Sequence, residues 1–312
     1  MTIGIKAIGS YVPTTALDNL ALAESFGESE DFVKGKLGAL RLPRKEADQE
    51  TSDLCVEAVK ALQANTSEFD LDQVDAIVVV TQNGDGCGLP HTAAVVQKKL
   101  GLRTDIVAFD VSLGCSGYVY GLYILQGMMQ ASGLKNGLLI TADPYSKVID
   151  TTDRVTSMLF GDAATATWLG SSPVLNLGAV AYGTDGEGEE FLKVHDGILS
   201  MNGRQVFNFA ATKVAPHIKQ VIEKQQLTEE DIDAFVVHQG SAAIVDAISR
   251  RFQHKERFIK DIEDTGNTVS SSIPLLLERH ILASVNTYQN LIVCGFGVGF
   301  SWATAVLSSN HS

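Results

Sequence analysis

The chain repeats one of its own segments. Asp72-Gln73-Val74-Asp75-Ala76-Ile77-Val78-Val79 returns 158 residues later as Glu230-Asp231-Ile232-Asp233-Ala234-Phe235-Val236-Val237, an offset close to half of the 312 residues. In each copy an acidic turn feeds a short apolar run rich in β-branched residues, the pattern of a strand buried on both faces. Such a strand needs helices above and below it, so the repeat points to an α/β chain of two similar halves. The halves meet near the Gly-Ser-Ser-Pro stretch at 170–173, giving an N-terminal half over 1–170 and a C-terminal half over 171–312.

The remaining pattern agrees with alternating strands and helices. Apolar runs at 76–81, 105–111, 137–142, 234–237 and 290–293 read as strands, and amphipathic stretches at 50–64, 92–100, 116–132, 210–225 and 241–252 as helices. With 45 % hydrophobic residues and 20 % charged, the chain lies well outside the disordered range. No apolar run approaches the ~18 residues of a membrane span, and the N-terminus lacks a basic region and a small-residue cleavage site. Cysteines at 55, 87, 115 and 294 show no Cys-x-x-Cys spacing, so neither zinc nor a disulfide framework is indicated. A net charge of −13 argues against nucleic acid as a partner. These features describe a soluble, cytoplasmic globular protein.

One cysteine stands apart. In Phe109-Asp110-Val111-Ser112-Leu113-Gly114-Cys115-Ser116-Gly117-Tyr118 a strand ends, a thiol follows and a long apolar helix begins. Free N–H groups and the macrodipole at a helix N-terminus favour a thiolate, which makes Cys115 a candidate nucleophile. Cys55 and Cys294 read as core, and Cys87 as part of a Gly-rich loop near a pocket. A thiolate in acyl chemistry needs a proton-handling partner. Of the histidines at 91, 195, 217, 238, 254, 280 and 311, most read as surface residues. His238 differs, because it closes the repeated strand at the place of Val80, where α/β proteins present side chains to a ligand crevice. Asn267 lies among Gly266, Thr265, Thr268 and Ser270, a segment that also serves as an ordinary turn and helix cap. The 295–300 stretch Gly-Phe-Gly-Val-Gly-Phe lacks the spacing of a phosphate loop.

Taken together these segments resemble the thiolase-like condensing enzymes, most closely β-ketoacyl-acyl carrier protein synthase III. The resemblance runs nearly end to end, from Ile8-Gly9-Ser10-Tyr11-Val12-Pro13 to Ser301-Trp302-Ala303. It includes Asp150-Thr151-Thr152-Asp153-Arg154, Phe160-Gly161-Asp162-Ala163-Ala164, Met201-Asn202-Gly203-Arg204-Gln205-Val206-Phe207, Val237-His238-Gln239 and Gly266-Asn267-Thr268. It implies a five-layered αβαβα fold of two pseudo-symmetric halves, a homodimer, and a triad of Cys115, His238 and Asn267. Cys115 would take an acyl group from a coenzyme A thioester. A malonyl group on an acyl carrier protein would then lose carbon dioxide and attack the acyl-enzyme. The resemblance implies no permanently bound cofactor and no metal. It places Phe32, Lys36, Arg154, Phe207 and Ser241 along the coenzyme A channel. A second oxyanion hole would use the Cys115 N–H and the 297–299 turn with Val298 and Gly299, and Leu89 would reach across the dimer to cap the acyl pocket.

Several positions depart from the family pattern. Gln-Ala-Asn after the histidine reads Gln239-Gly240-Ser241 here, and Ala243 stands at a usually basic position. Lys36 replaces an arginine and so loses its planar fork. Leu89, where acetyl-primed members often carry Phe, is compatible with a longer acyl group. The carrier protein is acidic, so an enzyme of −13 needs a local basic patch, which Arg250, Arg251, Lys255, Arg257 and Lys260 could supply. The departures favour a specialised pathway over housekeeping fatty-acid initiation. Two other functions stay open at this point: acyl transfer to an oxygen or nitrogen nucleophile without decarboxylation, and a non-catalytic acyl-binding partner subunit.

Overall fold

Asp75 and Asp233, at matching places in the repeat, tie the chain together in the same way. In the computed structural model, which describes residues 2–309 and leaves Met1 and residues 310–312, His311 among them, outside, each backbone N–H donates to an asparagine carbonyl, Asn136 or Asn290. The Asp75 carboxylate accepts the N–H groups of Lys135 and Asn136, and that of Asp233 accepts those of Gln289 and Asn290. Each asparagine amide in turn donates to the carbonyl two residues before the aspartate, that of Gln73 or Asp231. The acidic turn is therefore a clamp that locks each repeated strand to the start of its parallel neighbour.

The strands are β1 (Ile3–Tyr11), β2 (Ala16–Asp18), β3 (Arg41–Pro43), β4 (Ala76–Val80), β5 (Val107–Val111), β6 (Gly137–Ala142) and β7 (Ala164–Ser171). They continue as β8 (Leu175–Thr184), β9 (Leu192–His195), β10 (Ile198–Met201), β11 (Ala234–Val237), β12 (Asn290–Gly297) and β13 (Ser301–Ser309). Nine of them form one sheet in the order β11-β12-β13-β8-β1-β7-β6-β4-β5. On one side, β4 runs parallel to β5 and β6, β6 antiparallel to β7, and β7 antiparallel to β1. On the other, β11 runs parallel to β12, β12 antiparallel to β13, and β13 antiparallel to β8. A parallel bridge between Phe235 and Phe258 stands where β5 would lie. Between β1 and β8 the register holds only two pairs, Gly4 with Asn176 and Ile5 with Leu175.

Alternation along each strand sorts side chains into separate cores. Val78 and Val80 of β4 and Val236 of β11 enter a shared central core, which also holds Leu122 and Leu125 of the helix Gly117–Ser132 and Ile273 and Leu276 of the helix Ser272–Leu276. Ile77 and Val79 face the opposite way, onto the helices Thr51–Asn65 and Thr92–Leu100. Phe235 and Val237 likewise face the helices Ala215–Lys224 and Ala242–Ser249. The layers are thus helix, sheet, helix, sheet, helix. β12 runs on to Gly297 and turns back into β13, so 295–300 is a hairpin. His217, read above as a surface residue, is buried instead, with Nδ1 2.9 Å from the Thr304 hydroxyl and its ring edge-on to Trp302.

Burial alone would raise the Asp75 carboxyl, but the Lys135 and Asn136 N–H groups and Arg103 outweigh it and hold the carboxyl below its usual value. Asp75→Ala is expected to cost about 1–3 kcal/mol of unfolding free energy in urea titrations near neutral pH. A group depressed in the folded state stabilises above its unfolded pKa, so the difference from wild type should shrink as pH falls below about 4. A loss that is the same at all pH values would contradict the clamp.

Candidate active site

Three elements converge at the end of the central layer. Cys115 sits in the turn between β5 and the helix Gly117–Ser132, with Ser116 at that helix's N-cap. It can lie there because β12 presents glycine beneath it: a Cβ on Gly295 would stand 2.5 Å from the Cys115 carbonyl oxygen, and one on Gly297 2.7 Å from its Sγ. His238 follows β11, held by its N–H to the Cys294 carbonyl at 2.9 Å. Asn267 is pinned against the Phe160 segment by two backbone bonds, its N–H to Leu159 and its carbonyl from Gly161. Its Oδ1 accepts the Val269 N–H at 2.9 Å, which leaves Nδ2 as the donor end. Val269 makes that bond from φ +53°, a strained setting for a β-branched residue that nothing in its sequence announces.

A cavity of about 290 Å³ joins these groups. Cys115, His238 and Asn267 line it, at 4 %, 2 % and 4 % exposure. Phe32, Lys36, Arg154, Phe207 and Ser241 line the same cavity, with Lys36 and Arg154 exposed and the other three half-buried. All the residues assigned to the triad and the channel are therefore brought together around one space. Some are already engaged. Arg154 pairs with Glu28, and the Ser241 hydroxyl caps the helix Ala242–Ser249 through the Ile244 N–H. Val298 and Gly299 line a second cavity instead, although the Val298 N–H bonds the Cys115 thiol. Leu89 is 86 % exposed and lines neither cavity.

Electrostatics revise one expectation. Burial first, and then the Asp143 carboxylate, push the Cys115 thiol up to about 12, against the N–H groups of Val298 and Cys115 itself. The group at rest is a thiol, and the helix N-terminus does not make it a standing thiolate. Burial also pushes His238 down to about 3, so its imidazole is neutral. Its Nδ1 lies 2.8 Å from the Ser272 hydroxyl, which is also 3.2 Å from the Val269 carbonyl. Sequence reading passed over Ser272 and Val269, whose roles depend on contacts outside any motif. In the basic patch, Arg250, Arg251 and Lys255 are exposed. Arg257 is a structural tie rather than a free cation, since its Nη1 donates to the Glu230 and Ile232 carbonyls, and Lys260 pairs with Asp246.

The pattern described as 3-Oxoacyl-[acyl-carrier-protein (ACP)] synthase III matches residues 109–186, and that of its C-terminal part matches 222–309. The chain belongs to this family. It is an acyltransferase of the β-ketoacyl-acyl carrier protein synthase III type, with that family's condensing activity and thiolase-like fold. A β-ketoacyl-[acyl-carrier-protein] synthase III of Staphylococcus epidermidis is 33 % identical over 315 residues, covering 98 % of this chain and 99 % of the relative. Among solved structures, a 3-oxoacyl-(acyl-carrier protein) synthase of Burkholderia xenovorans superposes with TM-score 0.91 at 31 % identity, covering 99 % of this chain and 95 % of that one. A β-ketoacyl-[acyl carrier protein] synthase III of Thermus thermophilus gives 0.90 at 32 %, over 99 % and 100 %. No helix among the described residues is long and apolar enough to cross a membrane.

A thiol raised by burial should alkylate slowly at neutral pH. Iodoacetamide modification of Cys115, followed by peptide mass, is expected to keep accelerating to above about pH 10. A plateau below about pH 8 would mean a preformed thiolate.

Proposed function

We propose that Cys115 carries the acyl group, and that His238 and Asn267 hold the enolate formed when a malonyl thioester loses carbon dioxide. The observation supporting this most is the single cavity that closes on all three buried side chains while opening past Lys36 and Arg154. The thiol attacks an acyl-coenzyme A thioester, its proton leaves with the coenzyme A sulfur, and an acyl-Cys115 thioester remains. Because the thiol rests protonated and His238 neutral, the proton departs as the carbon–sulfur bond forms. The malonyl group, carried on an acyl carrier protein, then releases carbon dioxide. Its carbanion attacks the acyl carbon, and Cys115 leaves and is reprotonated, giving a β-ketoacyl product.

A neutral histidine donates from Nε2 only if Nδ1 accepts. For Nδ1 to accept, the Ser272 hydroxyl 2.8 Å away turns from the Val269 carbonyl and donates to Nδ1, which leaves the Nε2 hydrogen for the enolate oxygen beside the Asn267 amide. Donors fixed where charge develops are worth on the order of 3 kcal/mol each. The retained, buried Asn267 favours condensation over simple acyl transfer. The N–H groups of Cys115 and Val298 would serve the tetrahedral intermediate of acyl transfer.

Phe32 and Phe207 supply aromatic walls for the pantetheine and adenine ends of coenzyme A, Lys36 supplies a cation at the mouth, and Arg154 would supply a second on exchanging Glu28 for a substrate phosphate. Arg250, Arg251 and Lys255 would dock the acidic carrier protein. We read the enzyme as a homodimer in which Leu89, prominent on its loop, reaches the partner's acyl site. The chain reads as two thiolase-like halves dividing near residue 170, with Cys115 in the first and His238 and Asn267 in the second.

Intact-mass measurement with acyl-coenzyme A thioesters should show one acyl adduct on wild type. On Cys115→Ala the adduct should fall by at least about a hundredfold. An adduct that persists without Cys115, or none on wild type with any thioester, would overturn the assignment.

A further inference from the structure

The second cavity, about 380 Å³, shares Leu192 with the first and touches Val298 and Gly299 beside the Cys115 loop. Its walls include Gln82, Asn83, Ser112, Tyr145, Glu189 and Lys193, so half of the twelve lining residues are polar. Of these only Tyr145 is buried, and an alkyl chain laid along this wall would strip water from the polar groups that it covers without replacing their hydrogen bonds.

One of these groups is built into the wall and holds a second, exposed one in place. Tyr145 is 4 % exposed, its ring lies 4.8 Å from that of Phe160, and its hydroxyl donates to Gln82 Oε1 at 3.0 Å. The Gln82 backbone N–H is fixed on the buried Asp143 carboxylate at 2.7 Å. Gln82 Oε1 stands 2.5 Å from where a Cβ on Gly114 would be, so the amide rests against the residue preceding Cys115. With Oε1 occupied by the phenol, the amide N–H groups remain as donors, in a side chain that lines the cavity.

With the acyl group of acyl-Cys115 directed into this cavity, we propose that Gln82 and Tyr145 select acyl thioesters bearing a hydroxyl or keto oxygen on their first few carbons. The proposal rests on the acyl-Cys115 reading above. An oxygen on the chain accepts from the Gln82 amide and replaces the water that an alkyl chain would displace without compensation. A site that hydrogen-bonds a substrate oxygen discriminates against the analogue lacking it.

The test compares butyryl-coenzyme A with 3-hydroxybutyryl-coenzyme A, equal in chain length, by the rate of Cys115 acylation in intact-mass time courses. Wild type should favour the hydroxyacyl thioester roughly tenfold or more. In Gln82→Leu/Tyr145→Phe the ratio should fall to about one or invert. Gln82 is exposed and Phe keeps the ring of Tyr145, and the wild-type ratio decides the matter even if the variant fails to fold. A wild-type ratio of one or less, or a ratio the variant leaves unchanged, overturns the selectivity while leaving acyl-Cys115 intact. No adduct from any thioester overturns both.

Discussion

The site depends on how closely the turn before the helix Gly117–Ser132 approaches β12. Side chains at 295 and 297 would collide with the Cys115 carbonyl and with its sulfur, so both positions must be bare. That contact fixes Cys115 against the β12–β13 hairpin. It also sets the Val298 N–H on the thiol. Small outward movement of the hairpin would separate the thiol from its donor and open the cavity floor. The two asparagine-gripping aspartates, Asp75 and Asp233, act further back, holding the strands from which the turns project.

Burial decides the protonation states that the chemistry starts from. The same desolvation raises Cys115 and lowers His238, so the enzyme holds a neutral thiol beside a neutral imidazole. Neither a charged nucleophile nor a charged base has to be maintained in an apolar chamber, where it would cost heavily. In the proposed reaction charge appears only when substrate is in place, and the donors assigned to meet it are fixed in advance. Val269 accepts an unfavourable φ so that its N–H can orient Asn267. Ser272 stands at the corresponding position behind His238.

Much of this was legible in the sequence where a residue acts through its own strand or turn. The repeat at 72–79 and 230–237 located two equivalent buried strands, and the substitution of His238 for Val80 within it marked a polar side chain entering the central layer. Cys115 was readable from its place between strand and helix, but its protonation was not, because burial and Asp143 come from distant segments. In the sequence Arg257 reads as part of a basic patch and Arg154 as a residue of the coenzyme A channel, and only the fold shows the carbonyls and the carboxylate that engage them. Gln82 and Tyr145 meet across 63 residues, Ser272 and His238 across 34, and no local pattern foretells such pairs.

The division of labour between Cys115 and the His238–Asn267 pair is tested most directly by carbon dioxide release. With malonyl-acyl carrier protein labelled in its free carboxyl and an acyl thioester present, label is counted as gas while acyl-Cys115 is followed by mass. Asn267→Ala should still acylate, yet release label at least about a hundredfold more slowly than wild type. Release at the wild-type rate from an acylated Asn267→Ala enzyme would contradict the enolate-holding role assigned to that amide.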